Sequence, residues 1–174
     1  MPYITEQYRD LNSLMHEQKP GYGTNGYKHL ESIMTLSERL GNTQDILDYG
    51  CGKSTLAINL GFHIQQYDPA IPKFAAEPRP ADLVCCTDVL EHIEPYYVDE
   101  VLDHLQALTK KACFVVVSTV PANKTLPDGR NAHLIQKPAK WWMDRLWDRF
   151  ELVNFQLLDV EFQAVLAKQS SRGK

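Results

Sequence analysis

The chain has no surplus of positive charge: 18 lysines and arginines stand against 22 aspartates and glutamates, for a formal net charge of −4. Without a basic excess there is no global field to gather a polyanion, so nucleic acid is not the expected partner and only a local patch is left for that role. Metal-binding cysteine patterns are also missing. The 4 cysteines, Cys51, Cys85, Cys86 and Cys113, show no CxxC or Cys/His ligand spacing and lie in or beside apolar runs. They are expected to be reduced core thiols, and no metal is expected from them. No uninterrupted apolar stretch reaches the roughly 18 residues that crossing a bilayer takes. The first residues, Met1-Pro2-Tyr3-Ile4-Thr5-Glu6, lack a basic segment followed by an apolar one, which makes cytoplasm the expected compartment. Oligomeric state has no signature in the sequence.

The 174 residues, 44% of them hydrophobic, suit one domain in which a sheet is covered on both faces. Residues 5–19 have the spacing of a short polar helix, with Tyr8, Leu11, Leu14 and Met15 on one side. Pro20, Gly21, Gly23 and Gly26 then exclude a regular helix. Residues 1–27 are therefore expected to form an N-terminal helix and an active-site cover, where Tyr22, Thr24 or Tyr27 would meet substrate. The blander role for the same segment is a surface connection.

Residues 28–168 carry an alternating strand and helix pattern. A helix is expected over 28–40, a first strand over 46–49, a helix capped by Ser54 or Thr55 and ended by Gly61, and a second strand over 62–67. Only 13 residues separate Asp68 from Asp82, and Pro69, Pro72, Pro78 and Pro80 fall among them, so a further helix and strand barely fit. Residues 81–86 and 112–117 read as buried parallel strands, with a helix from Pro95 to about Leu108 between them. A helix from Pro138 displays Trp141, Trp142 and Trp147, which would line a planar substrate or, more plainly, seal the helix against the sheet. Residues 150–155 and 159–167 form a terminal antiparallel pair, and 169–174 a flexible tail. The fold class expected is α/β: one open, mostly parallel sheet with a C-terminal antiparallel pair and a reduced third-strand region.

Chemistry concentrates where strands end. Asp48-Tyr49-Gly50-Cys51-Gly52 closes the first strand with a turn that permits close backbone approach, and Asp68 closes the second with acceptors suited to two ribose hydroxyls. Gly52-Lys53-Ser54 imitates the end of a phosphate-binding loop, but that loop needs glycine where Leu47 stands. Gly50-Cys51-Gly52-Lys53-Ser54-Thr55 likewise lacks the third glycine of a dinucleotide fingerprint. Asp48 would repel a pyrophosphate and suit a cationic amino-acid group, although it could serve instead to orient the turn through backbone hydrogen bonds. Ribose at one end and a cationic amino acid at the other describe S-adenosylmethionine.

The turn, Asp68, and Ala81-Asp82-Leu83-Val84-Cys85-Cys86-Thr87-Asp88-Val89-Leu90-Glu91-His92-Ile93 resemble, in that order, the first, second and fourth sequence motifs of class I S-adenosylmethionine-dependent methyltransferases. The resemblance spans roughly residues 44–120 and is nearest to compact bacterial or bacteriophage members with a shortened third strand. It implies a Rossmann-like methyltransferase fold, with Asp48, Gly50 and Gly52 around the amino-acid end of the cofactor, Asp68 on the ribose, and Thr87, Asp88 and Val89 beside the methionine. Lys53 and Ser54 depart from the small residues that relatives commonly carry.

Methyl transfer to an oxygen or nitrogen needs alignment and loss of a proton. His92 and His133 are the expected bases, and His133 is also expected to touch the acceptor. Against this stand structural roles: His92 capping the helix after Pro95 or orienting Glu91, His133 anchoring its loop. The acceptor expected is a small molecule, nucleotide or glycan-like group. A non-catalytic cofactor-fold protein that partners another enzyme is the competing function, with nucleic-acid methylation and nucleotide hydrolysis behind it.

Overall fold

In the computed structural model, residues 3–169 are described; Met1, Pro2 and nearly all of the 169–174 tail lie outside them. Six strands form one sheet: β1 (Ile46–Tyr49), β2 (Gln65–Tyr67), β3 (Ala81–Thr87), β4 (Thr109–Ser118), β5 (Phe150–Leu157) and β6 (Glu161–Lys168). Their spatial order is β2-β1-β3-β4-β6-β5. The first four are parallel, and β6 pairs antiparallel with both β4 and β5. Among the described residues the α-helices are α1 (Glu6–Gln18), α2 (Leu30–Arg39), α3 (Thr55–Leu60), α4 (Val98–Leu108) and α5 (Ala139–Trp147).

The continuous apolar runs become central strands because both sheet faces are covered. Leu83 and Cys85 of β3, with Phe114 and Val116 of β4, pack against Ile33 and Leu36 of α2 and Leu56 and Leu60 of α3. Their neighbours Val84, Cys86, Cys113, Val115 and Val117 point the other way, onto Val101, Leu102 and Leu105 of α4 and Trp142 and Leu146 of α5. This period-two division places Cys85, Cys86 and Cys113 inside, and Cys51 is buried in the turn after β1; all four are free thiols. A smaller third cluster joins α1 to the loop after β4 through Tyr8, Met15, Tyr22, Leu126 and Ala132.

The sheet ends at β2, and between β2 and β3 the chain makes only a short 3-10 turn, Pro72–Phe74. The proline-rich link thus replaces a helix and a strand. Trp142 is 0% exposed and seals α5 to the sheet, while Trp147 is 60% exposed.

Helix starts follow the sequence less closely. Residues 26–29 are 3-10 rather than α-helical, as are 95–97. Ser54 occupies the N-cap position of α3 but makes no capping bond, because its backbone is left-handed at φ 65° and its buried hydroxyl has no partner. Thr55 is not the cap either: its hydroxyl donates to the Thr24 carbonyl and accepts from the Tyr27 amide. Among the described residues no helix is long and apolar enough to cross a membrane.

Candidate active site

The carboxyl ends of β1, β2, β3 and β4 open into a cavity of about 740 Å³, within the range of about 300–1,000 Å³ common for small-molecule sites. Its walls include Asp48, Gly50, Gly52, Asp68, Thr87, Asp88, Val89, His92 and His133, together with Tyr22 and Thr24 from the N-terminal segment. Tyr27 is not brought in: it is 51% exposed and does not line the cavity. Tyr22 reaches the wall, yet its hydroxyl donates to Asn12 Oδ1 at 2.8 Å, so its polar end is held by α1.

The glycine turn is fully committed to protein. The Gly50 and Cys51 amides donate to the Tyr67 carbonyl at 2.7 and 3.0 Å, and the Lys53 and Ser54 amides to the carbonyls of Gly23 and Cys51 at 2.8 Å each. The Gly52 amide donates to Asp68 Oδ2 at 3.1 Å. No amide of the turn is left to cradle a phosphate. Lys53 is also spent elsewhere, its ammonium donating to the carbonyls of Lys19 and Pro20 at 2.8 and 3.0 Å. The phosphate-loop imitation therefore acts as a clamp on the N-terminal segment.

Both glycines are required by space as well as by positive φ. A Cβ at Gly50 would lie 2.3 Å from Val89 Cγ2, and one at Gly52 would lie 2.6 Å from the Gly23 carbonyl oxygen. Gly52→Ala is expected to cost about 2 kcal/mol through its left-handed backbone and this backbone collision, lowering Tm by roughly 4–8 °C. Differential scanning calorimetry checks this; a Tm within a degree of the parent would show that the N-terminal segment yields freely.

Asp48 and Asp68 flank the turn, both buried. Asp48 makes no side-chain hydrogen bond to the described residues, and burial, followed by the charge of Asp68, pushes its carboxyl up to about 7. Its expected alternative as a backbone-bonding turn organiser is thus not its role. Asp68 is the organiser, accepting from the amides of Gly52 and Ala70 at 3.1 and 3.0 Å. Each of its oxygens keeps a further lone pair. His16 Nε2 stands 3.9 Å from Asp68 Oδ2, and burial lowers that imidazole against the pull of the carboxylate.

Asp88 has φ 55° and accepts from Asn25 Nδ2 at 2.9 Å, a strained position at the end of β3 held by the N-terminal segment. Beyond it, His92 and His133 meet edge to face with centroids 4.8 Å apart. Nδ1 of His92 lies 2.8 Å from the Ala132 carbonyl and Nδ1 of His133 lies 2.6 Å from the Val120 carbonyl. A carbonyl only accepts, so Nδ1 is the donor in each ring, and in the neutral ring the lone pair lies on Nε2. Burial, then His133, pushes His92 down to about 3, which keeps it neutral. His92 neither caps the following helix nor bonds Glu91; its partner is the distant Ala132.

Several cavity residues escaped the sequence reading: His16, Asn25, His29, Lys124, Glu161 and Gln163. Asn12 and His16 follow Tyr8 at i+4 and i+8, and polar residues on the apolar side of α1 were the available signal.

A methyltransferase-domain family model matches residues 23–161, most of the chain and all of the glycine turn, Asp68 and the β3 segment. The chain belongs to the methyltransferase-domain family. No curated protein matches it in sequence. Among solved structures, 1,6-didemethyltoxoflavin-N1-methyltransferase of Burkholderia thailandensis, determined with 1,6-didemethyltoxoflavin and S-adenosylhomocysteine, is 14% identical with TM-score 0.65, covering 94% of this chain and 88% of its own. Magnesium protoporphyrin IX methyltransferase of Synechocystis PCC 6803 with S-adenosylmethionine is 15% identical with TM-score 0.60, covering 94% of each chain. The same enzyme with S-adenosylhomocysteine is 18% identical with TM-score 0.59, covering 83% of this chain and 84% of its own. At these identities the methyltransferases share its Rossmann-like fold.

Proposed function

We propose that this methyltransferase-domain protein binds S-adenosylmethionine at the β1–β2–β3 edge and transfers its methyl group to an oxygen or nitrogen of a small acceptor. The observation that carries the reading is the pair of buried carboxylates, Asp48 and Asp68, flanking a turn whose amides are all used. Such a floor rejects phosphate and suits a cation beside a diol. Asp48 would face the ammonium of the cofactor and Asp68 the ribose hydroxyls. Thr87, Asp88 and Val89 would lie along the methionine, with Gly50 and Gly52 allowing close approach. The similar structures bound to S-adenosylmethionine or S-adenosylhomocysteine support the choice of cofactor.

The acceptor would lie toward His92 and His133, where Nε2 lone pairs are available to take a proton. Bound there, S-adenosylmethionine would supply an electrophilic methyl group, leaving as a thioether, while Nε2 of His92 or His133 would take the acceptor's proton. Residues 19–27, clamped through Lys53, Thr55 and Asp88, would cover the reacting groups and exclude water. The 740 Å³ cavity and the 1,6-didemethyltoxoflavin bound in the Burkholderia enzyme favour a small acceptor.

The test is formation of S-adenosylhomocysteine when labelled S-adenosylmethionine is incubated with pools of hydroxyl- and amine-bearing metabolites. Label appearing on an acceptor is the expected result. Tight cofactor binding with no turnover across the pools would favour the non-catalytic partner role.

A further inference from the structure

Glu91, His92 and His133 each present one ligand-capable atom, and the three atoms lie within 4.8 Å of one another. We propose that they form a site for a divalent first-row transition ion at the acceptor end of the cavity.

Glu91 is the residue least explained otherwise. It is 0% exposed, its Oε1 accepts from the Ser118 amide at 3.0 Å, and its Oε2 is buried with no hydrogen-bond partner. An unsatisfied buried acceptor is costly, and a cation is the partner that removes the cost. The two imidazoles are held as metal-binding histidines are held, each giving its Nδ1 proton to a main-chain carbonyl and keeping Nε2 for a ligand. The loop carrying His133 is stitched to the Glu91-His92 pair twice, by the His92 to Ala132 bond and by the Ile135 amide donating to the Glu91 carbonyl at 3.0 Å.

An ion with ligands at about 2.1 Å sets neighbouring donors about 3–4 Å apart, so closure asks for side-chain movements of roughly an ångström. Two imidazoles and one carboxylate suit a transition ion better than magnesium or calcium, and leave coordination positions open. His92 and His133 line the cavity, so those positions meet the acceptor space.

This deepens the methyl-transfer reading and rests on it for its chemical consequence: the acceptor is a hydroxyl. A coordinated hydroxyl releases its proton to water far more readily than a free one. The oxygen lone pair then takes the methyl carbon while the carbon–sulfur pair returns to sulfur. His92 and His133 serve as ligands in this scheme, and proton removal no longer needs either of them as base.

Cobalt(II) is the probe. Titrated into the full chain without S-adenosylmethionine, it should bind with one-to-one stoichiometry and give visible d–d absorption. His133→Ala and Glu91→Gln should each weaken cobalt binding at least 100-fold, whereas His63→Ala, on an exposed histidine, should leave it unchanged. His133→Ala is at a half-buried loop position and keeps the test valid if Glu91→Gln fails to fold. Absence of saturable cobalt binding, or binding undiminished in folded His133→Ala, overturns the proposal. S-adenosylmethionine affinity of the same variants, measured by calorimetry, separates loss of the ion site from failure of the cofactor assignment.

Discussion

Asp68→Ala is expected to raise the Kd for S-adenosylmethionine at least 100-fold. Two charge-assisted hydrogen bonds to ribose hydroxyls are worth about 1.5–3 kcal/mol each, and about 1.4 kcal/mol corresponds to tenfold in affinity. The same carboxylate holds the Gly52 and Ala70 amides, so the alanine variant also loosens the turn that Asp48 stands beside. Asp68→Asn is the milder change, keeping one of these two amide acceptors and losing the other. Asparagine keeps one acceptor oxygen and the shape, adds a donor a ribose oxygen can use, and removes the like charge facing Asp48; its Kd should rise only about tenfold. Isothermal calorimetry on both variants, with Tm recorded to verify folding, is the measurement. A folded Asp68→Ala protein that binds S-adenosylmethionine as the parent does would remove the ribose from this end of β2.

Strand positions and the cavity edge were legible because burial on both faces writes itself as unbroken apolar runs, and because each run ends in polar or glycine punctuation: Asp48 and Gly50, Asp68, Thr87 and Asp88, Ser118. The shortened third-strand region was legible from four prolines in a 13-residue span. What stayed hidden depends on contacts between distant segments. Nothing near Gly52 announces that Gly23 would press against it, and nothing near Ser54 announces that the segment it faces would capture Thr55 instead. Tyr22 was rightly a cavity residue by position, but its hydroxyl answers to Asn12, ten residues earlier on α1. The cluster of Glu91, His92 and His133 joins residues 41 positions apart through hydrogen bonds to Ala132 and Ile135. Local spacing of the kind that reveals zinc fingers has no access to it.

Lowering the pH from 7.5 to 5.5 is expected to weaken S-adenosylmethionine binding about 25-fold, through Asp48. In the free protein this buried carboxyl, with no hydrogen-bond donor among the described residues and Asp68 nearby, is held up to about 7. The cofactor's ammonium selects the ionised form. Binding therefore releases a proton whenever Asp48 is protonated beforehand, and affinity falls by a factor approaching ten for each unit below 7. Near pH 7 roughly half a proton should leave per cofactor bound, measurable as a buffer-dependent binding enthalpy in calorimetry. Asp48's own contribution to the stability of the free protein should move in the opposite direction. A carboxyl whose folded value lies above its unfolded value of 3.8 stabilises most fully below that unfolded value and loses the contribution as pH rises through about 7. Glu91, pushed up to about 8 by burial and then by Asp88, adds to the same trend. These carboxyl contributions grow between pH 8 and 6 against those of His16, His29, His92 and His104, whose folded values lie below 6.5 and which lose stability as pH falls through it; over the same range the increase in Tm that S-adenosylmethionine produces should shrink. Asp48→Asn should flatten the pH profile of Kd and hold affinity near the low-pH value throughout. A parent Kd that does not change between pH 7.5 and 5.5 would place the ammonium away from Asp48, and the floor of the cavity would then need another occupant.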